Sequence, residues 1–174
     1  MKVGRMMRKS SGSLKFFGSL LCLVLATAVF ARAQTRKPGL YEITSTMTWQ
    51  QSPMPNGMAP PAAMGGPRTS QVCVTQAMID KYGAPMASNR DQCQVTNVQK
   101  SDQGMTAEMV CSGHFSGKGT VAYSWVDADH STGKVHFTGQ MQMGPNTKPI
   151  EWTSTSTSTF KSADCGSVKP IEPK

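Results

Sequence analysis

Residues 93–111 read CQVTNVQKSDQGMTAEMVC, and this stretch decides the fold. Gln94 to Lys100 and Met105 to Val110 are two β-forming runs around Ser101-Asp102-Gln103-Gly104, a hairpin turn signal in which glycine is available for positive φ. Folding about that turn sets Cys93 opposite Cys111. Side-chain alternation agrees, because Cys93 and Val95 share one side of the first run, while Met105, Ala107, Met109 and Cys111 share one side of the second. Both thiols therefore face the apolar side. Cys73 and Cys165 remain as the other pair; four cysteines permit three connectivities, of which this local pattern prefers Cys93/Cys111 with Cys73/Cys165.

The same period of two recurs on both sides of the hairpin. From Leu40 to Trp49, Tyr41, Ile43, Met47 and Trp49 alternate with Glu42, Thr44, Thr46 and Thr48, the pattern of a half-buried strand. Thr69 to Thr75 is a short strand, and Gln76 to Tyr82 makes one or two helical turns before Gly83 and Pro85. Thr120 to Asp127 and Lys134 to Met143 form a second hairpin across residues 128–133, and residues 145–149 make the next turn. Glu151 to Lys161 closes the series, with Thr153, Thr155, Thr157 and Thr159 on one face and Trp152, Ser154, Ser156, Ser158 and Phe160 on the other. About seven short strands with at most one short helix predict an all-β fold, an antiparallel meander forming a small barrel or a sandwich. Residues 52–67, rich in Met, Pro and Gly and without charge before Arg68, read as a long flexible loop.

The N-terminus gives the compartment. Lys2, Arg5, Arg8, Lys9 and Lys15 precede an uncharged apolar run from Phe16 to Phe30, followed by Ala31-Arg32-Ala33. A basic region, an apolar stretch of about 15 residues and a small-x-small site predict a signal peptide over residues 1–33, since a membrane span needs roughly 20 residues. Cleavage after Ala33 leaves one β domain, residues 34–174, with no stable membrane span, in the periplasm or secreted. The whole chain carries a net charge of +8, but residues 1–33 hold six of its 18 basic residues and none of its 10 acidic ones. The domain itself is close to neutral at about +2, which removes the electrostatic case for nucleic acid. Four cysteines in an exported domain predict two structural disulfides, the spacing being wrong for zinc.

The order of marks Lys37-Pro38-Gly39-Leu40-Tyr41-Glu42, the Met/Pro loop, Gln71-Val72-Cys73-Val74-Thr75, Cys93-Gln94-Val95, Met109-Val110-Cys111-Ser112-Gly113 and Asp164-Cys165 resembles a bacterial exported family, domain of unknown function 3617. That resemblance implies an exported Met-rich β protein and supplies no catalytic residues.

Two binding chemistries suggest themselves. Met54, Met58 and Met64 in the loop offer soft thioethers of the kind Cu(I) prefers, with His114, His130 and His136 as further donors. The plainer reading is that methionine fills irregular apolar gaps. Alternatively, a curved sheet bearing Trp49, Trp125 and Trp152, with Phe137 and Phe160, encloses an apolar ligand under the Met loop, against the plainer reading of a filled core. Nothing marks an activated serine, and Asp127, Asp129 and His130 fall in a turn, where aspartate serves geometry. The expectation is a non-enzymatic binding or envelope-associated module with no cofactor, its partner unspecified.

Overall fold

The computed structural model describes residues 36–54, 58, 65–84 and 93–171. The predicted signal peptide, Met64 and most of the 52–67 loop lie outside the described residues. Strands β1 (Gly39–Gln51), β2 (Arg68–Val74), β3 (Cys93–Ser101), β4 (Gly104–Cys111), β5 (Phe115–Trp125), β6 (His130–Met143), β7 (Asn146–Ser162) and β8 (Pro170–Ile171) form one sheet, with helix α1 (Gln76–Tyr82) after β2. The sheet order is β3-β4-β5-β6-β7-β1-β2-β8. Neighbours are antiparallel except β2 and β8, which run parallel at Cys73/Pro170 and Val74/Ile171. The sheet curls into a half-barrel, so the all-β expectation holds, and of barrel and sandwich the fold stands on the barrel side.

Alternation builds the curl. On β6, Ser131, Gly133, Phe137 and Met141 are buried, whereas Thr132, Lys134, Thr138 and Gln140 are exposed. Their inward partners on β7 are Ser158, Ser156, Trp152 and Lys148, and the threonines of β7 fall on the outer face as the sequence predicts. Threonine pairs there, such as Thr44 with Thr69 at 2.9 Å, suit a solvated strand surface. Inside, one apolar cluster gathers Tyr41, Val74, Met78, Tyr82, Met105 and Val121, and a second gathers Cys111, Phe137, Met141 and Ile150.

Three boundaries differ from the sequence reading, each for a steric reason. β5 begins at Phe115 rather than Thr120, because Gly117 and Gly119, poor strand formers in isolation, give the room that the Phe137 ring occupies. β7 begins at Asn146 and runs through Pro149, where the sequence suggests a turn; there β7 pairs with β6 alone, since its pairing with β1 stops at Glu151, and a missing N–H is tolerated on a free edge. The β5–β6 turn is shorter than residues 128–133, with β6 starting at His130 because Asp127 Oδ1 accepts the backbone N–H groups of Asp129 and His130, both at 2.8 Å.

The β3–β4 hairpin closes as expected, with Ser101 opposite Gly104 and Cys93 opposite Cys111. Gly104 does not take positive φ, however; a Cβ there would lie 2.1 Å from the Tyr123 carbonyl oxygen, so the turn needs glycine for close approach. A bulge at Asn97, φ 53°, shifts the register so that Val98 instead packs on the core. Cys93–Cys111 and Cys73–Cys165 are both bridged.

Helix α1 spans the predicted residues. Thr75 Oγ1 accepts the Met78 N–H at 3.2 Å, and Gly83, φ 72°, ends the helix by donating its N–H to Ile79 O at 2.7 Å. Met78 and Tyr82 then pack into the first cluster. Thr75→Ala is expected to cost about 1 kcal/mol through the lost cap, read as a shift in the urea midpoint at unchanged slope.

Candidate ligand-binding site

The inward face of the half-barrel has two aromatic ends joined by small residues. At one end the strand registers align Trp49 (β1), Trp152 (β7), Phe137 (β6), Gly119 (β5), Met109 (β4) and Val95 (β3) in a single transverse row. Phe137 and Trp152 stack at 5.4 Å with 22° between planes. Phe137 is fully buried because glycines lie beneath it: a Cβ at Gly117 or Gly139 would come within 2.9 Å of its ring. Trp49 and Trp152 stay half-buried, leaving apolar surface at the end of the row.

At the other end stand Tyr41 and Trp125, and between them the Arg36 guanidinium, 4.9 Å from the Tyr41 ring and 5.2 Å from the Trp125 ring. The chain leading into β1 is anchored there. Tyr41 donates its hydroxyl to Lys37 O at 2.6 Å, Lys37 Nζ pairs with Asp129 at 3.0 Å, and Gly39 is required because a Cβ would meet Ser162 O at 2.2 Å. Arg36 is only 5% exposed, and neither Nη1 nor Nη2 has a hydrogen-bond partner. Burial pushes its pKa down, opposed by the neighbouring tyrosines and by Asp127 and Asp129.

Joining the ends, β7 presents Ser158, Ser156 and Ser154 inward, beside Ser45 on β1 and Ser131 and Gly133 on β6. Tyr123 leans over Gly133 and its hydroxyl shares a hydrogen bond with the Ser156 side chain; burial raises the Tyr123 pKa, partly offset by that bond. Ser131 and Ser158 face each other across β6 and β7, and both hydroxyls are buried without a partner.

The three tryptophans named from the sequence all face inward, but the structure separates them: Trp49 and Trp152 form one end, and Trp125 joins Arg36 at the other. Sequence reasoning missed Arg36, since a lone basic residue beside a predicted cleavage site carries no signal of burial. Of the loop methionines, Met64 lies outside the described residues. Met58 is exposed, Met54 is half-buried with its N–H donated to Ser52 Oγ at 3.1 Å, and Met141 fills the second cluster. The histidines are spread out: His130 pairs with Asp127, His136 contacts Thr153 and lies 3.6 Å from Glu151, and His114 packs edge-on against Phe115. Asp127 serves the turn, and accepting the Asp129 N–H and pairing with His130 hold its pKa below the ordinary carboxylate range.

Among the described residues, no group of three or more His, Cys, Asp or Glu is placed to hold a metal ion, and no helix is long and apolar enough to cross a membrane. A family model described as a protein of unknown function, DUF3617, matches residues 36–165, most of the chain. No curated protein and no solved structure matches it.

Proposed function

Since the chain belongs to the DUF3617 family, whose description assigns no activity, we propose from its geometry that it is an exported, non-enzymatic binding protein that holds an apolar ligand against the inward face of its half-barrel. The observation that carries this reading is the in-register row Trp49–Trp152–Phe137, with Phe137 and Trp152 stacked, at one end of a face whose middle carries small residues on β6 and β7. Aromatic rings offer large apolar area with few rotatable bonds, and Trp49 and Trp152 keep part of theirs exposed. Export rests on the N-terminal sequence pattern, and two disulfides suit an oxidising compartment. The Asp127/His130 cluster serves turn geometry.

A neutral fluorescent naphthylamine dye tests the reading. The protein should raise the dye's emission, and Trp49→Ala should weaken binding roughly five- to tenfold, as the loss of one aromatic contact of about 1 kcal/mol implies. Unchanged dye affinity in a folded Trp49→Ala protein contradicts it.

A further inference from the structure

We infer that Arg36 is the headgroup anchor of this site, and that the ligand is an amphiphilic monocarboxylate whose carboxylate meets the Arg36 guanidinium while its apolar body lies toward Trp152. The inference rests on the binding role proposed above and adds the chemical class of the ligand.

The argument begins with what Arg36 lacks. A guanidinium carries five N–H donors in its plane and no acceptor, and taking it out of water without partners costs several kcal/mol. The rings of Tyr41 and Trp125 offer their π faces to the cation but accept none of its in-plane N–H bonds. The nearest carboxylates are committed elsewhere: Asp127 to the Asp129 and His130 N–H groups and the His130 ring, Asp129 to Lys37. Nη1 and Nη2 are thus left as paired donors on a fork.

The surroundings define the acceptor. The sheet order puts β7 and β6 between β1, which carries Tyr41, and β5, which carries Trp125. Opposite Trp125 on β6 stands Ser131, and opposite Ser131 on β7 stands Ser158, both with hydroxyls that lack partners, while Phe160 stands opposite Tyr41. The two guanidinium nitrogens match a planar group with two acceptor oxygens, the bidentate geometry in which arginine binds carboxylate. With Lys37 already paired to Asp129, one guanidinium near Asp127 and Asp129 suits a monoanion better than a doubly charged phosphate. Beyond the serines, the face turns apolar at Val135, Phe137 and Trp152, which sets the polarity of the ligand along the strands.

The test compares dodecanoate with dodecanol by calorimetry, on protein recovered from cells expressing the full chain. Dodecanoate is expected to bind at least tenfold more tightly than dodecanol, the equivalent of one charge-assisted hydrogen bond of about 1.5 kcal/mol or more. Arg36→Gln should erase that preference, and Arg36→Lys, which keeps the charge without the fork, should restore only part of it. The wild-type comparison of the two probes needs no variant to fold. Equal binding of both probes by the wild-type protein overturns the carboxylate assignment while leaving an apolar carrier intact. Binding of neither overturns the proposed function as well.

Discussion

Replacing Cys73 and Cys165 together by alanine is expected to lower the unfolding free energy by about 4.6 kcal/mol, because the bridge closes a loop of 92 residues. The same loop-entropy relation gives about 3.2 kcal/mol for Cys93–Cys111, whose cysteines are 18 apart. The order of the two losses follows from topology. Cys93–Cys111 links strands that a hairpin already holds together, whereas Cys73–Cys165 fastens the C-terminal segment to β2, where pairing with β8 covers only two residues. Denaturant unfolding of the two double variants checks this: the 73/165 variant should have the lower midpoint, and the reverse order would mean that native β2–β8 contacts hold that edge without the bridge.

Phe137→Ala is the second large effect, expected to cost about 3–5 kcal/mol, the range for removing a buried phenyl ring. The loss should fall toward the upper end because the cavity cannot close. Phe137 is 1% exposed, stacks on Trp152, and stands over Gly117, Gly119 and Gly139, which have no side chains to move into the space. Urea unfolding measures the loss, and near-ultraviolet circular dichroism should show Trp152 losing its fixed environment. Phe137→Leu refills most of the volume and should recover more than half of the stability; a loss below about 1 kcal/mol for the alanine variant would show that the glycine floor collapses after all.

Those glycines also show where the sequence stops being legible. The alternating pattern of β1, β4 and β7, the Cys93/Cys111 juxtaposition and helix Gln76–Tyr82 follow from local periodicity and turn chemistry, which act within a few residues. Gly117 and Gly119 argue against a strand until Phe137 is placed over them from the neighbouring strand, and that placement is set by register. Pro149 looks like a turn until β7 is seen to have one partner there. β8 escapes notice for a related reason: two residues make a strand only through their parallel partner.

The candidate site divides in the same way. Trp49, Trp125 and Trp152 were legible as inward aromatics because large apolar rings in alternating strands go inside, but their separation into two ends depends on strand order. Arg36 was not legible at all. Its burial comes from Tyr41, five residues along the chain, and from Trp125 on β5, which reaches it only after the sheet has curled.

The central claim is that the inward face carries an apolar ligand, and native mass spectrometry of protein recovered from cells expressing the full chain, followed by the same sample denatured, tests it most directly. The denatured mass should equal a chain beginning at Gln34 less four hydrogens for two disulfides, and the native mass should exceed it by a few hundred daltons of bound amphiphile. Identical native and denatured masses, with no mass gained when dodecanoate is added to the native sample, would contradict it.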